Sequence, residues 1–440
     1  MKRDIYADLL KWKASRNRKP LILYGARQVG KTYILKEFGK NEFKNLVYIN
    51  CYKNQTVEEI FKESIDVKRI ILALSAYTGE EITSQQTLLF FDEAQEIPEV
   101  VASLKYFCED ARDLCVVAAG SLLGVMDLNS ISFPTGKVNM LHMYPMTYLE
   151  FLEALDETKK VELLRTGDFG LIDALGKEYE ERLRQYYFVG GMPEAVKEYA
   201  EHQDLEEVRK IQDEIINSYY SDIAKHAGAN TPRCHLVFES LPSQLAKENK
   251  KFVFGALKKG ARASEFEIAI QWLVDAGLVY KVRKISKVEY PISFYVDNDS
   301  FKLFLLDVGL LGALAKTPVT SILPGETLFK EYKGAFTENY VASQLATIVG
   351  GKDITYYAKE NSRVEIDFII QIKDRIYPIE VKAEENVRSK SLRQFIVNDN
   401  ADKGFKGVRF SMKGYRDQDW MVNVPLYSVL PYLESPSTAG

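Results

Sequence analysis

Residues Leu21 to Thr32 read LILYGARQVGKT. A short apolar run ends in Tyr24 and gives way at once to Gly25. Gly30, Lys31 and Thr32 then follow at the G-x-x-x-x-G-K-[ST] spacing of a phosphate-binding loop. The chemistry explains the spacing. A glycine-bounded loop lets successive backbone N–H groups converge on a phosphate, and the helix that follows turns its positive dipole end to the same charge. Gly25, Ala26, Arg27, Gln28, Val29, Gly30, Lys31, Thr32 and Tyr33 are the candidate nucleotide-contacting residues. Among them Lys31 would reach the β- and γ-phosphates, and the Thr32 hydroxyl would ligate Mg2+, a hard cation that takes oxygen ligands. The expected ligand is a nucleoside triphosphate, ATP with Mg2+. An ordinary strand-to-helix turn would use similar residues, so the weight falls on what lies further along.

Composition sets the frame. At 440 residues the chain is about three times a typical domain, so several domains are expected. An apolar fraction of 46% and a charged fraction of 27% are those of a folded globular protein. The net charge of −4 makes no global case for nucleic-acid binding, which leaves local patches to make it. No stretch approaches eighteen consecutive apolar residues and the first nineteen are charged throughout, so no membrane span or signal peptide is expected and a cytoplasmic location is. Cys51, Cys108, Cys115 and Cys234 contain no C-x-x-C, and with four histidines they suggest reduced structural thiols and no zinc site.

The chain then supplies the partners a phosphate loop needs. An amphipathic helix over 4–16 leads to the strand at Pro20, and a helix from Tyr33 follows the loop. Strand-type runs come at Asn45 to Ile49 and Thr87 to Phe91, with helical patterns at Val57 to Ser64 and Val67 to Tyr77 between them. The run TLLFF closes on Asp92 and Glu93, the arrangement with which a nucleotidase holds its metal and its water. Asp92 would join Thr32 in the Mg2+ shell, and Glu93 would orient or deprotonate the attacking water. A further strand, Leu114 to Ala119, ends in Gly120 and Ser121. In a parallel sheet the carboxyl ends of strands face the ligand, which makes Ser121 the candidate to sense the γ-phosphate or the lytic water. Lys31, Glu93 and Ser121 are the expected catalytic residues.

With GARQVGKT, FFDEAQEIP, the GSLLG turn, YPMTYLEFL (Tyr144 to Leu152) and YYFVGGMPEAV (Tyr186 to Val196) in this order, the sequence resembles bacterial and archaeal AAA-type ATPases that carry an uncharacterised carboxy-terminal half. The resemblance implies an α/β fold with a P-loop parallel sheet over 1–155 and a helical lid over 156–230. Where such proteins usually carry Gly-Arg, this chain has Gly136-Lys137, and lysine lacks the planar fork of arginine, so no arginine-finger role carries over. Gly190-Gly191-Met192-Pro193 is read as a helix stop and restart in preference to a nucleotide-driven hinge.

Residues 231–320 have the layout of a winged helix, with a third helix at Ser264 to Ala276 and a wing at Leu278 to Ile285 and Ile292 to Val296. Lys258, Lys259 and Arg262 precede that helix, but the helix carries Glu265, Glu267 and Asp275 and no base, so it would repel phosphates. A protein-contact module is the preferred reading.

Residues 325–435 hold a second constellation. A helical stretch carries Glu338, the strand VEIDFII carries Glu365 and Asp367, and the strand YPIEVKA carries Glu380 and Lys382. This order resembles the PD-(D/E)XK nuclease core and implies an α/β restriction-endonuclease-like domain. Alternation puts Glu380 and Lys382 on one strand face. Glu338, Asp367 and Glu380 would then share a second Mg2+ beside Lys382, with DNA or RNA as partner. Fold does not imply activity. Arg388, Lys390 and Arg393 form either a phosphate-binding rim or, preferred, a solvated helix face, and the tail SPSTAG is expected to be disordered.

The leading expectation is an ATP hydrolase whose Mg2+-dependent cycle acts as a conformational switch on the later domains. A nuclease gated by the ATPase and a nucleotide-sensing scaffold with negligible hydrolysis are the alternatives, and a protein partner is compatible with each.

Overall fold

A computed structural model of the chain describes residues 1–121, 133–247, 250–319, 328–360, 362–383 and 389–435. Arg388, residues 122–124 of the GSLLG turn and residues 436–440 of the tail lie outside them. The chain divides into two compact units, residues 2–144 and, Asp275–Gly277 aside, 145–440.

The first unit is built on five strands, β1 (Leu21–Tyr24), β2 (Asn45–Asn50), β3 (Thr87–Asp92), β4 (Cys115–Gly120) and β5 (Asn139–His142). They pair in parallel in the order β2-β3-β4-β1-β5. Continuous apolar runs suit this role because a parallel strand is covered on both faces, and every residue of β3 and β4 is buried. On one face Ile22, Ile49, Leu89, Phe91 and Val116 pack with Phe61, Leu104 and Phe107 from the flanking helices Gln55–Glu63 and Pro98–Asp110. The helix after the loop runs Lys31–Glu42, starting two residues before the expected Tyr33. Strand β5 has only four residues and carries the polar Asn139 and His142, so its sequence signal is weak.

Strand order places the site. The connection leaving β1 crosses to β2 on one side, whereas that leaving β4 crosses over β1 to β5 on the other. Ligands of open α/β sheets bind outside the carboxyl ends of the strands at such a reversal. Here it lies between the loop after β1 and Ser121 after β4.

The second unit begins with helices Tyr148–Ala154, Thr158–Thr166, Phe169–Ala174, Gly176–Val189, Pro193–His202, Leu205–His226 and Thr231–Leu245, of which the middle five lie in the stretch 156–230 read as helical. Gly190 ends one helix with φ 72°, where a Cβ atom would come within 2.2 Å of Asp307 Oδ1. The next residue donates its N–H to Asp307 Oδ2 at 2.6 Å, and its carbonyl accepts from Met146 N at 2.6 Å. The double glycine is thus a pinned corner. Burial raises the Asp307 carboxyl to about 6 despite the backbone N–H groups that favour its charge.

After helix Ala263–Asp275 come β6 (Val279–Ile285) and β7 (Val296–Leu305), then β8 (Thr355–Ala358), β9 (Glu365–Ile372), β10 (Arg375–Lys382), β11 (Gly407–Ser411), β12 (Arg416–Asp417) and β13 (Met421–Pro425). All eight join one mixed sheet in the order β12-β13-β11-β10-β9-β8-β6-β7. The wing therefore differs from expectation. Ile292–Tyr295 is a turn of 3₁₀ helix, and the second strand runs on through the apolar Phe301 to Leu305, pairing Val279 with Leu305. On its other edge β6 pairs with β8 in parallel, Arg283 opposite Thr355. Ile285, Ile366, Ile369, Leu392, Phe395 and Met421 form a core on this sheet.

Candidate functional site

The phosphate loop links β1 to helix Lys31–Glu42. Three of its residues, Gly25 (φ 147°), Gln28 (φ 66°) and Gly30 (φ 98°), take positive φ. Only glycine serves at Gly25, because a Cβ there would lie 2.2 Å from the Met143 carbonyl oxygen after β5. Ala26 and Val29 are buried, while Tyr33 is exposed. Lys31 Nζ, itself buried, donates to the carbonyls of Gly25 at 2.9 Å and Ala26 at 2.7 Å.

Across the crevice, Asp92 ends β3 and is 5% exposed. Its Oδ2 accepts from Thr32 Oγ1 at 2.8 Å, across 60 positions of sequence, and from Tyr48 OH at 3.1 Å. The two residues read as the metal pair are thus brought into direct contact. Glu93 sits in the left-handed region (φ 50°), a conformation non-glycine residues hold where surrounding structure enforces it, often at functional sites. Its Oε2 accepts from Gln95 Nε2 at 2.5 Å. Two buried polar atoms on this rim, Ser121 Oγ and Gln95 Oε1, have no hydrogen-bond partner among the described residues. Buried groups of that kind are expected to meet a ligand or water. Lys137 forms an ion pair with Glu109 at 2.7 Å on the surface.

Two residues were not evident from the sequence. Tyr48, on β2, adds a second hydroxyl to Asp92, and burial followed by the Asp92 charge pushes its hydroxyl up to about 12. Alternation along NLVYIN assigns Tyr48 to a face of its strand and says nothing of what that face meets. Arg3, buried, donates from Nη1 to the Val29 carbonyl at 2.8 Å and from Nη2 to the Tyr144 carbonyl at 2.6 Å. It buttresses the loop from 26 positions away, and no local pattern marks it.

The second constellation also assembles. Glu338 lies on helix Leu328–Val349, Asp367 on β9, and Glu380 with Lys382 on β10, the last two paired at 3.1 Å as alternation requires. Asp367 Oδ2 accepts from Val381 N at 2.8 Å. Two lysines outside the pattern enter the cluster. Lys302 of β7 is 1% exposed and reaches Glu365 Oε1 at 2.5 Å, with its ammonium 4.8 Å from the Tyr356 ring centre. Lys250 pairs with Glu338. Its segment is fixed by the Phe252 N–H, which donates to the Phe301 carbonyl at 2.9 Å, and by stacking of the two rings at 5.5 Å.

Burial and the neighbouring Glu338 raise the Asp367 carboxyl to about 7. Burial also works against charge on Glu338, yet Lys250 and Lys302 hold it below the usual range. Lys302 stays protonated in spite of its burial because Glu338, Glu365 and Asp367 surround it. Among the described residues no group of three or more His, Cys, Asp or Glu side chains is arranged to hold a metal ion. Lys390 and Arg393 are exposed around the buried Leu392.

No curated protein matches the sequence. Residues 180–321 match a domain of unknown function (DUF8612), and residues 333–429 match another (DUF4143). Among solved structures, similarity extends to the Walker-type ATPase PABY2304 of Pyrococcus abyssi, with 16% identity and TM-score 0.46 over 71% of this chain and 95% of that one. It also extends to the Aeropyrum pernix Orc1 protein in complex with DNA (13% identity, TM-score 0.27, 73% and 94% covered). Cdc6p from Pyrobaculum aerophilum is similar at 13% identity and TM-score 0.25, with 71% and 91% covered. Residues 17–152, which carry the phosphate loop, Asp92, Glu93 and Ser121, match an AAA domain.

Proposed function

We propose that residues 2–144 bind ATP with Mg2+ and hydrolyse it, and that this cycle is the input of the protein. The observation that carries the reading is the contact of Thr32 with Asp92, which makes one site of the phosphate loop and the acidic end of β3. The match of this segment to an AAA domain supports it. The residues fit the metal: two oxygen-bearing side chains stand together beside a loop built for phosphate. Thr32 and Asp92 would hold Mg2+, whose charge offsets that of the β- and γ-phosphates.

The remaining work belongs to the chain's own side chains. The loop amides and Lys31 bind the phosphates, and Lys31 neutralises charge that develops on the leaving group. Glu93 orients a water and accepts its proton at a carboxylate oxygen. Ser121, whose hydroxyl is buried without a described partner, donates to the γ-phosphate or to that water. Four free cysteines support a reducing, cytoplasmic setting, and no helix among the described residues is long and apolar enough to cross a membrane.

The output is assigned to residues 145–440, read as a helical lid, a winged-helix segment and a nuclease-like domain. Helix Ala263–Asp275 exposes Glu265, Glu267 and Ile268 and no base, which favours a protein partner there over DNA.

A phosphate-release assay on Lys31→Ala tests the reading. Turnover is expected to be lost, whereas Glu93→Gln should still bind nucleotide and fail to release phosphate. Parent-like hydrolysis by Lys31→Ala would overturn it.

A further inference from the structure

We propose that Lys302 and Lys250 take the place of the metal in the carboxy-terminal carboxylate cluster, which makes it a metal-free ion-pair core in place of a nuclease centre. This inference is independent of the nucleotide site.

Glu338, Glu365, Asp367 and Glu380 against Lys382 leave four carboxylates facing one ammonium, an excess that one divalent cation would reduce by two charges. Lys250 and Lys302 supply the same two positive charges as side chains. Lys302 interacts with Glu338, Glu365 and Asp367 together, so it stands among the groups a metal would have to bridge. Adding a dication would place it beside one buried and one partly buried ammonium group, and like charges at that range in a poorly solvated site repel strongly.

Coordination points the same way. A hard cation needs several oxygens with lone pairs turned to one point. Here one oxygen of Glu338 is taken by Lys250, one of Glu365 by Lys302 and one of Glu380 by Lys382, while Asp367 accepts a backbone N–H. Glu338 Oε2 and Glu380 Oε2 remain, buried and without hydrogen-bond partners among the described residues; like Ser121 Oγ they call for water or a ligand, but two oxygens fall short of the several that a hard cation needs. These are the lone pairs a cation would take up once a lysine is removed.

The lysines are also built in. Lys302 is carried on a strand that pairs along β6 from Val279 to Ile285, it lies over the Tyr356 ring, and it is almost wholly buried. Lys250 is held by the Phe252–Phe301 contact next to it. Neither belongs to the nuclease pattern, and both come from segments that precede it.

The test is Mn2+ binding to the nucleotide-free full-length protein, followed by the loss of the free-ion electron paramagnetic resonance signal. The parent is expected to bind no Mn2+ through Asp367 or Glu380, so Asp367→Asn and Glu380→Gln leave its titration unchanged. Lys302→Ala is expected to gain one Mn2+ site per chain that the parent lacks, read as an added loss of the free-ion signal. Lys250→Ala, altered outside regular secondary structure, makes the same measurement if Lys302→Ala fails to fold by circular dichroism. The gain should vanish when Asp367→Asn is added. Parent Mn2+ binding that survives Asp92→Asn and disappears in Glu380→Gln would overturn the proposal. So would a folded Lys250→Ala that gains no binding, or Mg2+-dependent cleavage of nucleic acid by the parent that is lost in Lys382→Ala.

Discussion

Each unit ends a sheet in buried acid, and the two treat that acid in opposite ways. Asp92 is held by two hydroxyls, Thr32 and Tyr48, which orient the carboxylate without cancelling its charge. The carboxylates of the second unit are held by ammonium groups, from Lys250 to Glu338, Lys302 to Glu365 and Lys382 to Glu380. A carboxylate kept by neutral donors still calls for a cation, whereas one kept by lysine has its cation already. The residue that holds an acid therefore says more about its use than the acid does.

The largest effect expected from this contrast is on turnover. Asp92→Asn keeps an oxygen acceptor for Thr32 and removes the charge. It should lower kcat on the order of 10²–10³-fold, the scale for losing one group that stabilises developing charge, while stability moves by no more than about 1 kcal/mol. A steady-state phosphate-release assay alongside a chemical denaturation curve checks both halves. A large stability loss with intact turnover would reverse the comparison.

Lys302→Met should behave the other way. Removing one partner of a buried ion cluster strands Glu338, Glu365 and Asp367, which costs about 3–5 kcal/mol, with nucleotide binding unchanged. The double replacement Lys250→Met with Glu338→Leu should cost far less than the sum of the two single changes, because no unpaired charge is left buried.

A pH series sharpens the contrast. Asp367 titrates near 3.8 unfolded and at about 7 folded, so the native state binds its proton more tightly. Its contribution is present in full at low pH and is lost as pH rises through that window. Thermal denaturation should therefore show a smaller fall in stability between these pH values in Asp367→Asn than in the parent. An unchanged difference curve would remove Asp367 from the cluster's energetics.

The smallest effect concerns the second hydroxyl. Tyr48→Phe deletes one of the two donors on Asp92 and should cost about 1 kcal/mol in stability. Nucleotide affinity should change only a few-fold, as isothermal titration would show.

What was legible in the sequence was what is local. Lys31 and Thr32 are read from a loop whose spacing is the chemistry, and Asp92 from the end of an apolar run. The carboxy-terminal carboxylates emerge because strand alternation fixes Glu380 beside Lys382. Strand order was not legible, since apolar runs do not say which run lies beside which, and the position of β4 between β1 and β3 is what sets Ser121 opposite the loop. Arg3, Tyr48, Lys250 and Lys302 act at a distance on residues they neither precede nor follow in any pattern. The wing was misplaced for a similar reason: the 3₁₀ turn at Ile292–Tyr295 shares its apolar composition with a strand, and only pairing with β6 tells them apart.

The pairing of β6 with β8 has one more consequence. It stitches residues that match one family, 180–321, to residues that match another, 333–429, through the hydrogen bonds of a single sheet. A fragment begun after residue 325 would surrender β6 and β7, bare the flank of β8 from Thr355 to Tyr357 as an open edge that invites foreign strands, and leave Glu365 without its lysine. The boundary that their sequences suggest therefore runs through one hydrogen-bonded sheet.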